Sequence, residues 1–341
     1  MISPGVRRWV NGYWQDDVPH PLLDRLLLPA EWTFGAAVAA RDRAYRERWL
    51  RVERAPLPVV SVGNLAVGGA GKTPFASWLA GRLLALGRKP AVVVSGYADD
   101  EPRLHRELQP RIPVFAARLR IEAVRAAAAA GCDVAVLDDA FQHRRLHRNL
   151  DLVLIAAESW RPDLRLLPRG PWREPAAAAA RADLVGVSYK SAAPDEVLRV
   201  KSELENATGR PSFGVAILPG PLLPLHPGAA ELPLDALRRS ATLAVAGIAD
   251  PRPFLAHLRL AGADVEPVVF PDHHVFSSEE AAELVERARG RRMVMTGKDA
   301  VKLRDHVPSA ADAWILSQRL EVAWGADALD EGVRRALAAA A

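Results

Sequence analysis

With 341 residues, half of them apolar, the chain is long enough to bury cores in two domains of ordinary size, so disorder is not its default state. Its 45 Lys and Arg against 41 Asp and Glu leave a net charge of +4. Without a concentrated basic stripe or interleaved stacking aromatics, that balance sets nucleic acid aside as a partner. The one cysteine, Cys132, excludes an intramolecular disulfide and a cysteine-rich metal site, and fits a reducing compartment such as the cytosol.

The N-terminus lacks the charged start, apolar run and small-residue cleavage site of a signal peptide, so secretion is not expected. Nowhere does the sequence reach the roughly 18 to 20 uninterrupted apolar residues of a spanning helix. Residues 1–50 form a distinct lead-in: Leu26, Leu27, Leu28, Trp32 and Phe34 precede Arg41, Arg43, Arg46 and Arg48, and Arg51 follows. Two placements fit this amphipathic segment. It lies in a membrane interface with its cations among anionic headgroups, or it packs as a helix on the core.

From Pro58 onward short β-branched runs alternate with helical stretches, which predicts an α/β fold with a parallel sheet. Strands are expected at 59–62, 91–95, 112–115, 133–137, 152–155 and 184–187. Helices are expected at 72–86 and 120–130, closed by Gly87 and Gly131. These make one domain over 51–209. The proline-rich stretch 210–235 has the composition of a linker. Beyond it, strands at 243–246, 265–270 and 293–296, with helices at 251–261 and 277–289, make a second, smaller α/β domain over 236–341. A return strand at 314–322 and a helix at 327–339 close the chain.

Gly68-Gly69-Ala70-Gly71-Lys72-Thr73 sits between a predicted strand and a predicted helix, where a phosphate-binding P-loop belongs. Glycines let backbone N–H groups converge on phosphate oxygens. Lys72 neutralises the β and γ phosphates of ATP, Thr73 offers a hydroxyl to Mg²⁺, and the helix start adds its positive dipole end. The strict pattern has glycine at position 66, where this chain has Ala66. Asp138 and Asp139 end the apolar run Val134–Leu137, placing carboxylates for Mg²⁺ beside the loop.

Ser61-Val62-Gly63-Asn64 through Gly71-Lys72-Thr73-Pro74, followed by Leu137-Asp138-Asp139-Ala140-Phe141-Gln142-His143-Arg144, resembles the tetraacyldisaccharide 4'-kinase family. Ala246-Gly247-Ile248, Phe270-Pro271-Asp272-His273-His274 and Thr296-Gly297-Lys298-Asp299 extend the resemblance in chain order across about residues 45 to 325. It implies a P-loop NTPase-like parallel-sheet sandwich and a second α/β domain, joined by a two-stranded linker, with the active site in the cleft between them. It implies transfer of the ATP γ-phosphate to the 4'-hydroxyl of tetraacyldisaccharide 1-phosphate, giving lipid IVA. The place implied is the cytosolic face of the inner membrane, where the protein is peripheral or monotopic and has no obligate protein partner. By position, Asp100 is implied as the base acting with His273, Glu101 as a member of the metal shell and Arg120 as the stabiliser of the transferring phosphoryl group; Gln142 and His143 shape the cleft.

Three positions depart from the family pattern. Ser95-Gly96-Tyr97 runs almost directly into Asp100 and Glu101, so an arginine and a longer loop are missing; Ala140 replaces a glycine and Gly297 a glutamate. These differences leave two further readings open: a membrane-associated P-loop ATPase switch, and a catalytically impaired lipid-binding relative.

Overall fold

A computed structural model describes residues 10, 12–14, 20–97, 100–161 and 164–338. The chain divides into two compact units, the larger formed by Asp16–Ala216 with Leu320–Ala341, the smaller built on Ile217–Arg319. Of the 1–50 segment, residues 1–9, 11 and 15–19 lie outside the described residues, as does Ala339 of the predicted last helix.

In the larger unit, α1 (Pro21–Arg46) leads into β1 (Val59–Gly63), α2 (Lys72–Ala85), β2 (Pro90–Ser95), α3 (Asp100–Leu108), β3 (Val114–Ala117), α4 (Arg120–Ala129) and β4 (Val134–Asp138). Then come β5 (Leu150–Ala156), β6 (Leu184–Tyr189), α5 (Pro194–Thr208) and β7 (Ser212–Pro224). The strand order is β3-β2-β4-β1-β5-β6-β7, with parallel pairing throughout. Helices cover both faces of a parallel sheet, so its strands read as unbroken apolar runs: every residue of β1 and β4 is buried. Val62 is in register with Asp138, which puts the loop after β1 beside the end of β4.

The smaller unit contains β8 (Ala241–Ala246), α6 (Arg252–Leu260), β9 (Asp264–Val269), α7 (Ser278–Arg287), β10 (Arg292–Met295), α8 (Gly297–Leu303) and β11 (Ala313–Trp324), in strand order β11-β10-β8-β9. Leu243, Val245, Met293 and Met295 feed one buried cluster while Ala244, Ala246 and Val294 feed another. The period of two thus gives this sheet a core on each face.

The division differs from the expected one in two places. The 210–235 stretch is not linker throughout, because β7 occupies Ser212–Pro224. Pro219 and Pro221 lie within this strand, two residues apart. The last helix, α9 (Ala326–Ala338), belongs to the larger unit. A Cβ on its Gly332 would meet Leu150 and Leu184 at 3.1 and 3.3 Å, and Asp330 pairs with Arg82 of α2 at 2.6 Å. β7 and β11 carry the chain from one unit to the other and back.

Candidate active site

In open parallel sheets ligands gather beyond the carboxyl ends of the strands, and there the larger unit collects its chemistry. After β1, Val67 N donates to the Pro171 carbonyl at 2.7 Å, Ser188 Oγ donates to the Ala70 carbonyl at 2.8 Å and Lys190 Nζ to that of Gly69 at 2.8 Å. These contacts hold the loop open from outside. Gly68 (φ 119°) and Gly71 (φ 74°) take left-handed conformations that a side chain would strain, and Gly71 caps α2. The first N–H groups of α2 and its dipole face the loop. Ala66 is accommodated: it bridges Trp172, and its carbonyl accepts from Asn64 Nδ2 at 2.6 Å.

Lys72 opens α2, with Nζ 3.5 Å from the Gly68 carbonyl and 3.7 Å from Asp139 Oδ1. Asp139, at the left-handed φ of 47°, is also held by Arg173 at 3.1 Å. Burial opposes ionisation of Asp139, but Lys72 and Arg173 outweigh it and hold the carboxyl below its ordinary range. Asp138 is fully buried. Burial again opposes ionisation, and His105, Lys72 and a hydrogen bond from Thr73 reverse it. Asp138 Oδ1 is left buried without a partner, which suits a carboxylate awaiting a cation. Among the described residues no three His, Cys, Asp or Glu converge on one point. Mg²⁺ in phosphoryl-transfer sites needs no such cage, because nucleotide phosphates and water complete its shell. Thr73 and Asp138 therefore fit the ion.

Asp100 and Glu101 open α3, a helix the sequence reading missed because Asp, Glu and Pro resemble turn residues. Asp100 Oδ1 accepts from Glu101 N at 3.1 Å, and Ser95 Oγ donates to Glu101 at 3.3 Å. Arg120 is buried, and its Nη2 donates to the carbonyls of Asp138 (2.9 Å) and Asp139 (3.3 Å), bracing the strand end. Burial lowers its pKa, while Asp138, Asp139 and Glu101 support the charge. Gln142 ties the assembly together, donating to the Asn64 carbonyl at 2.8 Å and accepting from Arg173 at 3.3 Å. Gly63 admits that segment, since a Cβ there would lie 2.5 Å from the Phe141 Cβ.

The histidine pair lies in the smaller unit. His274 stacks on Phe270, meets Phe276 edge-on and pairs with Glu280 at 3.1 Å, which makes it structural. His273 is exposed, at a left-handed φ of 58°, with its N–H on Asp272 Oδ1 at 3.1 Å. Sequence reading missed Arg173, Ser188, Lys190 and His105. Each is distant in sequence from the loop it supports, so no local motif marks it.

His143 offers a pH test. Burial first, then Arg120, Arg148 and Arg145, push its pKa down to about 4 from 6.5. Between those values the unfolded chain binds the extra proton and the folded chain does not, so the fold loses stability as pH falls through that window. His143→Gln flattens the fall of Tm between pH 6.5 and about 4. Parallel curves for wild type and variant contradict this assignment.

A glycine-rich loop on β1, a lysine at the next helix start and a strand-end carboxylate with a free oxygen define a P-loop nucleotide-binding protein. The sequence model of the tetraacyldisaccharide-1-P 4'-kinase (LpxK) family matches residues 23–103 and 98–338, so the chain belongs to that family. The tetraacyldisaccharide 4'-kinase of Xanthomonas euvesicatoria pv. vesicatoria (strain 85-10) is 36% identical over 94% of this chain and 93% of that protein. That of Anaeromyxobacter sp. (strain K) is 38% identical over 97% and 96%. The crystal structure of LpxK from Aquifex aeolicus in complex with ATP matches 92% of this chain and 99% of its own, with a TM-score of 0.73 and 28% identity. The reaction is phosphorylation of the 4'-hydroxyl of tetraacyldisaccharide 1-phosphate, a step of lipid A synthesis.

Proposed function

We propose that the loop Gly68–Gly71 with Lys72 holds the β and γ phosphates of ATP, and that Thr73 and Asp138 hold Mg²⁺, with Glu101 and Asp139 lending negative charge from farther out. The observation that carries this reading is the lone buried Oδ1 of Asp138, facing no protein partner while Oδ2 is engaged. When bound, Mg²⁺ neutralises charge on the phosphate oxygens. Asp139 balances Lys72 until nucleotide arrives. Arg120 keeps both strand-end carbonyls in place and adds positive charge beside the transferring group. Asp100 accepts the proton of the attacking hydroxyl, with His273, the exposed member of its pair, as the second catalytic residue.

The acceptor reaches the site from a membrane surface. In α1 the acidic side chains turn inward and are used: Asp24 pairs with Arg165, Glu31 with Arg169, and Asp42 with Arg144 and Arg181. The outward face keeps Leu22 (77% exposed), Leu26 (76%) and Trp32 (68%), with Arg25, Arg43 and Arg46 also exposed. Both placements open in the sequence are thus supported at once, one face on the core and the other free for a bilayer interface. No helix among the described residues is long and apolar enough to cross a membrane. A cleft of about 710 Å³ beside α1, lined by Leu28, Trp32, Leu164 and Leu166 with Glu31 and Arg169, offers acyl chains an apolar seat. This supports peripheral attachment at the cytosolic face of the inner membrane.

Two measurements test this reading. With γ-labelled ATP, Mg²⁺ and tetraacyldisaccharide 1-phosphate, the lipid becomes labelled, and omitting Mg²⁺ stops it; lipid that stays unlabelled overturns the reading. In the second, a Leu22→Glu, Leu26→Glu variant binds anionic vesicles more weakly by about 30-fold or more, each leucine contributing on the order of 1 kcal/mol when partly buried and each glutamate adding repulsion from the anionic surface. It keeps its activity on detergent-dispersed acceptor. Vesicle binding equal to wild type rules out this face as the attachment surface.

A further inference from the structure

Asp138 is gripped from behind by a residue that the P-loop pattern does not require. His105 lies one turn along α3 from Glu101 and is 1% exposed. Its Nε2 is 3.0 Å from Asp138 Oδ2 and its Nδ1 2.6 Å from Ser77 Oγ. Ser77 is also buried, one turn along α2 from Thr73. A row of three buried polar side chains is costly unless each is matched. The Nε2–H tautomer matches them: Ser77 donates to Nδ1, and Nε2 donates to the carboxylate. An apolar side chain of similar size would fill the same space without these demands. One atom of the row is left over, Asp138 Oδ1.

We propose that His105 is a positioning residue for phosphoryl transfer. By holding Oδ2 against the Ser77 backstop it fixes the rotation of the Asp138 carboxylate, so that Oδ1 is the oxygen offered to nucleotide-bound Mg²⁺. The same contacts lock α3, which carries Asp100 and Glu101, to α2, which carries Lys72 and Thr73. Outer contacts of this kind orient ligands and commonly change metal affinity or activity by 10- to 100-fold when removed. The inference rests on the reading of Asp138 as a magnesium ligand.

The test uses the full chain, with Mg²⁺ titrated in two assays: phosphoryl transfer, and equilibrium binding of a fluorescent ADP analogue with Mg²⁺ or with EDTA. His105→Leu raises the Mg²⁺ half-saturation about tenfold or more and lowers kcat. KM for the acceptor and affinity for the metal-free analogue stay at wild-type values. His105→Gln, whose amide donates toward Asp138 from the same side, recovers most of the magnesium response. Ser77→Ala shifts it in the same direction by less and stands in if the leucine variant does not fold. A wild-type magnesium response in both His105→Leu and Ser77→Ala, with a raised requirement in Asp138→Asn, overturns the inference and leaves the magnesium reading standing. An unchanged requirement in Asp138→Asn removes that reading and the inference with it. Equal weakening of metal-free and metal-loaded binding in the His105 variants shows a purely structural contact, which also overturns the proposal.

Discussion

Lys72→Ala lowers kcat by about 100- to 1000-fold, the cost of removing one preorganised charge from a site where charge moves in the transition state. Its side chain is only 11% exposed, and its Nζ is held at the loop by the Gly68 carbonyl and Asp139, acceptors that a phosphate would replace. The fold survives, because Asp139 keeps Arg173 and α2 is held by Phe75 and Leu79 in the core. Loss of Lys72 also removes a charge that helps hold Asp138 and Asp139 ionised, so their carboxyl pKa values rise. Saturation kinetics beside a thermal melt checks this result. A folded variant whose kcat stays within tenfold of wild type contradicts it.

Asp100→Asn has the second large effect, a fall in kcat of about 100- to 10,000-fold at unchanged KM for ATP, as removal of a general base predicts. The substitution is chosen because asparagine keeps the shape and can still accept from Glu101 N at the start of α3, so the helix is retained. What it cannot do is take the proton of a sugar hydroxyl. His273→Ala is expected to be milder, because an imidazole that tunes a base contributes less than the base itself. Activity of Asp100→Asn within a factor of ten of wild type contradicts the assignment of the base.

Much of the larger unit could be read locally. The strand-loop-helix around Lys72 followed from apolar run, glycines and Lys-Thr in direct succession, and β4 ends at Asp138 as its apolar run predicts. Gly87 and Gly131 close α2 and α4 with left-handed φ values of 78° and 81°. Composition misled in β7, where the prolines lie within a strand. It misled again at α3, whose polar face reads as a turn. Supports brought from far along the chain could not be read at all. Arg173 reaches Asp139 across 34 positions and His105 reaches Asp138 across 33, and only the sheet order brings them together. The aromatic packing that occupies His274 was likewise out of reach of the local sequence.

The shortened connection before α3 and the replaced Ala140 and Gly297 make coupling of ATP cleavage to the acceptor the sharpest question for this chain. The most direct measurement is the ratio of ADP formed to lipid phosphorylated, with ³¹P NMR locating the new phosphate on the acceptor. A ratio near one, with a phosphomonoester at the 4'-position and no ADP formed when acceptor is omitted, is the predicted result. ADP and free phosphate accumulating at the same rate without acceptor, and no phosphate at the 4'-position, would contradict it and describe an ATPase switch instead.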